Sequence, residues 1–351
     1  MTFEFHAVIA KRGIDVALTL GPTEKIAILG PNGAGKSSIL AAIAGLLRPD
    51  EGFARLDGDT LFDIGRPGEM DVWRQAHSRR TALLAQDPLL FPHLTVLDNV
   101  AFGPRSAGAS RRESQAAAQR WLTEVDATEF AKRKPSQLSG GQAQRIAVAR
   151  ALAAEPRLLL LDEPMSTLDV SVVPPIRQML RRVLSDRAAI IVTHDVLDAL
   201  LLADRVIVIE DGRVAEEGPT RDILSRPRSR FAASIAGLNM VSGTALGGSV
   251  RSPGGTTVEG IAAESIRDGD PVVAVFSPSA VAVHLTPPGG SPRNVIPATI
   301  TEIEPLGDRM RIRTAELNAD ITAPSVAALD LAPGTAVLLV VKASEVSIYE
   351  A

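Results

Sequence analysis

Gly30, Pro31, Asn32, Gly33, Ala34, Gly35, Lys36 and Ser37, with Ser38 behind them, spell the pattern GxxxxGK[ST]. The chemistry open to such a loop is phosphate binding. Glycines let successive backbone N–H groups turn inward around phosphate oxygens. A helix starting here adds its partial positive charge. Lys36 can reach the β- and γ-phosphates of a nucleotide, and Ser37 can hold Mg²⁺. Further along, Asp162 and Glu163 stand side by side after an apolar run. Asp162 would act on Mg²⁺, directly or through water, and Glu163 would orient and deprotonate the attacking water. Leu138, Ser139, Gly140, Gly141 and Gln142 offer backbone N–H groups and a hydroxyl ahead of another helical stretch, a second anion cradle. One small nucleotide does not need two cradles in one chain. A homodimer resolves this: each nucleotide is clamped between the phosphate loop of one subunit and residues 138–142 of the other.

These groups work only if regular elements aim them. Lys25-Ile-Ala-Ile-Leu29 reads as a buried strand leading into the loop, and residues 38–47 read as the helix after it. Residues 157–161 form the most apolar strand and end at Asp162. Residues 188–193 form another and deliver His194; residues 81–85 form a third, with Gln86 at its end. Helices are expected within residues 94–130, where Ser110 and Glu113 resemble a capping box, and over 143–154 and 176–185. Strands alternating with helices predict an α/β fold with a mostly parallel sheet covered on both faces. Residues 3–20 alternate around Lys11-Arg12-Gly13, a hairpin laid on the nucleotide core, and residues 205–215 suggest a final hairpin. Residues 49–80 are polar, with a turn at Asp57-Gly58.

The 351 residues suffice for two domains, and the formal charge of −4 gives no reason to expect nucleic-acid binding. The chain has no cysteine, which excludes disulfides, thiol catalysis and cysteine metal sites. No basic and apolar leader opens it, and no apolar run is long enough to span a bilayer. The expectation is a soluble, cytoplasmic protein that would need another subunit to act across a membrane.

The phosphate loop, Gln86, residues 138–142, Asp162-Glu163, Ser166-Thr-Leu-Asp169 and His194 together resemble the ATP-binding subunits of ABC transporters in order and spacing. The resemblance covers residues 1–238. It implies a P-loop ABC ATPase domain with a helical subdomain. It also implies that Gln86 senses metal and the attacking water and couples them to the permease. Ser139 and Gly141 would contact the partner's γ-phosphate, Glu163 would be the base, Asp169 would join the two sites, and His194 would hold the γ-phosphate and position the water. The family stacks adenine on an aromatic ring near the first hairpin. Arg12 stands there, and Phe3, Phe5 or His6 are the alternatives. Leu89, Leu90 and Phe91, beyond Gln86, are either a permease contact or core.

Composition shifts near Asn239 toward Gly, Pro, Ser, Thr and Val, so residues 239–351 are expected to form a small all-β, barrel-like (OB-type) domain. It carries a weak repeat, with units at about 239–285 and 291–351. Gly269-Asp-Pro-Val-Val-Ala-Val matches Gly334-Thr-Ala-Val-Leu-Leu-Val, and Asn239 and Asn294 are the corresponding starts. Ser291-Pro-Arg-Asn294, Thr322, Lys342 and Ser344 lie in segments that resemble a molybdate/tungstate-binding oligomerisation module. By that resemblance Arg293, Asn294, Thr322, Lys342 and Ser344 would bind a tetrahedral oxyanion at subunit contacts. Pro292 removes one backbone donor from that motif. A purely structural module is the other reading. The arrangement resembles the ATP-binding subunits of molybdate importers. It implies a permease, an extracytoplasmic oxyanion-binding protein, and a place on the cytoplasmic face of the membrane. Importers of sulfate, ferric iron, polyamines or sugars are the near competitors, and a non-transport ABC ATPase the distant one.

Overall fold

The computed structural model describes residues 2–263, 265–289 and 293–351, which divide into two compact units, Met1–Ile223 and Leu224–Ala351. In the first unit β1 (Phe3–Ile9) and β2 (Ile14–Leu20) form the expected hairpin. β3 (Lys25–Leu29) runs into the phosphate loop and α1 (Lys36–Ala44) leaves it. α1 ends earlier than residue 47 because Gly45 turns left-handed, with φ of 83°, and caps it.

Residues 49–80 hold more regular structure than their polarity suggests. β4 (Glu51–Leu56), β5 (Asp59–Ile64) and β6 (Val72–Trp73) extend the first hairpin into an antiparallel sheet of order β2-β1-β4-β5-β6. The β4–β5 turn is Asp57-Gly58, both at positive φ, as a two-residue hairpin requires.

β7 (Thr81–Leu84) then enters a second sheet, and α2 (Val96–Ser106) and α3 (Arg111–Glu124) form the helical part. Ser110 and Glu113 close the expected capping box. α4 (Gly140–Ala153), β8 (Leu158–Asp162), α5 (Val173–Val183), β9 (Ala188–Val192), α6 (Val196–Leu202), β10 (Arg205–Glu210) and β11 (Arg213–Pro219) complete the unit. The sheet order is β11-β10-β3-β9-β8-β7, parallel except for the β10–β11 hairpin.

Each parallel strand feeds two cores. Leu158, Leu160, Ile190 and Val192 pack with α1 and the antiparallel sheet, while Leu159, Leu161, Ala189 and Ile191 pack with the helices. Burial on both faces is why these strands read as unbroken apolar runs. Parallel register puts the carboxyl ends of β3, β7, β8 and β9 on one edge, where the phosphate loop, Gln86, Asp162-Glu163 and His194 emerge.

α7 (Thr220–Ser225) crosses the division between the units. The boundary therefore precedes the composition shift at Asn239. Residues 224–238 are tied to the second unit: Tyr349 Oη donates to the Pro227 carbonyl at 2.7 Å, and the Arg226 guanidinium covers the Tyr349 ring. α8 (Arg230–Ile235) leads into β12 (Asn239–Leu246), followed by β13 (Ser249–Arg251), β14 (Thr257–Glu259), β15 (Ile261–Ala262), β16 (Pro271–Phe276) and β17 (Ala282–His284). The second half runs β18 (Asn294–Leu306), β19 (Arg309–Thr314), β20 (Asn318–Thr322), α9 (Ala323–Ala328), β21 (Ala336–Val341) and β22 (Ser347–Glu350).

The repeat has a structural counterpart. β16 and β21 are each followed by a 3₁₀ turn and a short strand. Those last strands are exchanged: β17 pairs with β21, and β22 pairs with β16. The two sheets, β14-β13-β12-β16-β22-β15 and β17-β21-β18-β19-β20, share one core. Asn239 and Asn294 lock the exchange. Asn239 bonds the backbone N–H and carbonyl of Asn318, and Asn294 bonds those of Glu259, so each reaches into the other half.

Candidate active site

The shape of the phosphate loop is set by its glycines and by the packing beneath it. Gly30, Gly33 and Gly35 all have positive φ, and a Cβ on Gly35 would collide with the Ile14 side chain. Pro31, Asn32 and Gly33 are exposed at the rim, while Ala34 is buried. Lys36 is 6% exposed, and its Nζ donates to the Gly30 and Pro31 carbonyls at 2.8 and 2.9 Å. Burial lowers its pKa, and the Glu163 and Asp162 carboxylates oppose the shift. An amine held by carbonyls in this way is ready to exchange them for phosphate oxygens.

Ser37 Oγ donates to Asp162 Oδ1 at 3.0 Å. Burial pushes the Asp162 pKa up, the Ser37 hydroxyl pulls it down, and neighbouring Glu163 raises it further. A half-buried carboxylate beside a hydroxyl and a second carboxylate is a hard oxygen set that a cation would relieve, and it fits Mg²⁺. Among the described residues there is no cluster of three His, Cys, Asp or Glu able to hold a metal unaided. Ser37 and Asp162 would hold Mg²⁺ together with nucleotide phosphates, and the ion would supply charge neutralisation there.

Glu163 follows β8 with φ of 45°, a left-handed conformation uncommon for this residue type. Its N–H donates to the Val192 carbonyl at 2.9 Å, which ties the ends of β8 and β9 together. The turn brings Glu163 Oε2 to 3.3 Å from Nδ1 of His194. Gln86 is exposed at the end of β7, on the same sheet edge.

Several positioning residues carry no sequence motif. Arg177 is largely buried and bonds Asp198 at 2.6 Å and Asp195 at 2.7 Å. Thr193 Oγ1 donates to Asp198 at 3.0 Å and accepts the Asp195 N–H at 3.0 Å. His194 sits inside this frame. Gln144, 1% exposed, donates to the Pro164 carbonyl at 2.6 Å and joins α4 to the turn after Glu163. The only advance signal for these groups is a buried polar residue at a core position of a helix.

Residues 138–142 open α4 in surroundings of their own. Ser139 and Gln142 close a capping box at the start of α4, each accepting the other's N–H, at 3.4 and 3.0 Å. A Cβ on Gly141 would collide with Val172, so this glycine lets α4 approach the segment after Asp169. Asp169 accepts from the Ser171 N–H and hydroxyl, which lower its pKa. A cavity of about 390 Å³ beside Ser139, Gly141 and Gln142 also touches Asp126, Glu129, Arg145 and Val172. Among the described residues, none of the phosphate loop lines it.

The adenine alternatives are narrowed. Phe3 and Phe5 are 0% and 2% exposed and packed in the core, so neither can stack on a base. The reason is strand register: both point to the buried face of β1. His6 is held by Asp15 at 3.0 Å.

The five oxyanion candidates of the second unit sit in different surroundings. Asn294 is fully buried and both ends of its amide are engaged by Glu259, which corrects the expectation that it binds an anion. Arg293 pairs with Glu259 at 2.9 Å, and Thr322 caps α9. Ser291 and Pro292 lie outside the described residues. Ser344 is exposed in the turn before β22. Lys342 opens on a cavity of about 770 Å³ shared with Ser277, Ser279, His284 and Glu345.

Comparison with known proteins follows this division. The ABC transporter family model matches residues 14–166, and the TOBE domain model matches residues 290–348. The molybdenum import ATP-binding protein ModC of Mycobacterium tuberculosis strain H37Rv is 48% identical over 363 residues, covering 99% of this chain and 97% of that protein. The sulfate/thiosulfate import ATP-binding protein CysA of Burkholderia mallei is 36% identical, covering 88% of this chain and 85% of its own. Among solved structures, the ATP-binding cassette MJ0796, a dimer in a post-hydrolysis state bound to ADP and Pi, is 31% identical with a TM-score of 0.54. That match covers 63% of this chain and 99% of the other.

Proposed function

The chain belongs to the ABC transporter family of ATP-binding subunits, and from that premise we propose that it hydrolyses ATP to drive molybdate, or tungstate, through a membrane permease. One observation carries the cargo: the 48% identity to a molybdenum import ATP-binding protein extends over 99% of this chain, through both compact units. The ferric-iron relative from Streptomyces coelicolor matches only 67% of the chain. Sulfate import is the second reading, because CysA of Burkholderia mallei matches across 88%.

In this reading Lys36 and the loop amides grip the phosphates, and Glu163 takes a proton from the attacking water while His194 orients it. Gln86 reports the state of that centre to the permease. Ser139, Gly141 and Asp169 act on the nucleotide held by a second copy. Exposed Val170, beside Asp169, supports an interface there, and exposed Leu89, three residues after Gln86, supports a permease contact. No helix among the described residues is long and apolar enough to cross a membrane. The protein works at the cytoplasmic face, supplied by an extracytoplasmic binding protein. Lys342 with Ser277 and Ser279 offers charge and hydroxyl donors to an oxyanion.

Uptake of labelled molybdate in a strain lacking this chain tests the function. Wild type should restore uptake and Glu163→Gln should not. Restoration of sulfate uptake without molybdate uptake would favour the second reading.

A further inference from the structure

Arg12 ends a 3₁₀ turn, Ala10–Arg12, at the tip of the β1–β2 hairpin, and Gly13 closes it with φ of 64°. The tip is pinned from two sides. The Asp15 N–H donates to the Gly212 carbonyl at 2.8 Å, and Ile14 rests on Gly35 of the phosphate loop. From there Arg12 Nη1 donates to Ser38 Oγ. Ser38 is 5% exposed, in the first turn of α1, and its N–H bonds the Gly35 carbonyl at 2.9 Å.

This places a cation against the positive end of a helix, where it is repelled. Among the described residues no carboxylate lies in ion-pair range of Arg12, and only one of its five N–H donors is used. The arrangement is electrostatically incomplete without an anion. The Lys36 and Ser37 side chains turn toward Gly30, Pro31 and Asp162, whereas Ser38 turns toward Arg12. The hairpin's phenylalanines are buried, so what it presents to the loop is a guanidinium.

We infer that Arg12 is a second phosphate-binding cation of the ATP site, held on Ser38 and acting on the α-phosphate side of the nucleotide, away from Lys36. The inference rests on the ATP-binding reading and deepens it. Arg12 then reads the phosphate chain, so its contribution is the same for any purine. It is a binding residue, with no part in proton transfer.

Equilibrium binding of ATP, GTP, ADP and inorganic tripolyphosphate to the intact protein tests this. Arg12→Ala should weaken all four by a similar factor, about tenfold or more for a charged hydrogen bond. Arg12→Lys should recover part of the loss. Ser38→Ala, which removes the anchor, should weaken the same ligands with less than additive effect in the double variant. Arg12 is exposed, so thermal unfolding should not change. Unchanged tripolyphosphate binding alongside weakened ATP would place Arg12 on the base and overturn the inference, as would no change with any ligand. Failure of the wild type to bind any of the four would instead overturn the ATP reading on which it stands.

Discussion

Glu163 Oε2 lies 3.3 Å from His194 Nδ1, although the two residues end different strands of the parallel sheet. The left-handed turn at Glu163 and its bond to Val192 make the approach possible. In the proposed function this carboxylate and imidazole, held on one sheet edge beside the phosphate loop, would share the handling of one water.

Glu163→Gln should therefore keep nucleotide affinity while turnover falls by about 10²–10⁴, the usual range for a lost general base. Phosphate release and ATP binding on the same preparation separate the two. Near-normal hydrolysis would remove Glu163 from that role.

Ser139→Arg should abolish hydrolysis in the assembled transporter while a single copy still binds ATP at its own phosphate loop. Ser139 also caps α4, so the variant should lose about 1 kcal/mol of stability, visible in thermal unfolding. ATP binding lost to the same extent as hydrolysis would put Ser139 in the cis site instead.

The frame around His194 should be fragile. Arg177→Met leaves Asp198 buried without its cation and should cost about 3–5 kcal/mol. Burial raises the Asp198 pKa above its ordinary value, against the opposing hydrogen bond from Arg177. Its contribution to stability is thus fully present below the unfolded carboxylate pKa and is lost as pH rises through the folded one. Asp198→Asn should remove this slope from the pH dependence of unfolding.

Asn294→Ala should destabilise the second unit by about 1–3 kcal/mol for each backbone group left unpaired, without a selective effect on anion binding. Lys342→Ala should do the reverse: unchanged unfolding, and loss of any heat when the intact protein is titrated with molybdate or tungstate. No heat with molybdate, tungstate or sulfate in the wild type would leave the second unit a structural role.

The parts of this protein that were legible in its residues are those set by local physics. β3, β8 and β9 announce themselves because burial on both faces demands continuous apolar sequence. The phosphate loop is legible because its glycines have no substitute, and the Ser110 capping box because its spacing is fixed. What stayed hidden depends on pairing over long sequence distances. The β4–β5–β6 sheet reads as polar because much of its surface is exposed or only partly covered. The exchange of β17 and β22, and the capture of Asn294 by Glu259, leave no mark on local sequence. The same holds for Arg177 and Asp198, which meet only after α5 and α6 have packed.

The central claim is that ATP joins the phosphate loop of one copy to residues 138–142 of another, and the absence of cysteine allows a direct measurement. Asn32 and Gly140 are both exposed, and a Cβ on Gly140 meets nothing closer than Leu168 Cδ2 at 3.6 Å. With Asn32→Cys and Gly140→Cys introduced into Glu163→Gln, mild oxidation in the presence of MgATP should give covalent dimers, and few without nucleotide. A disulfide that forms within one chain, or no link between copies when ATP is bound, would contradict the account.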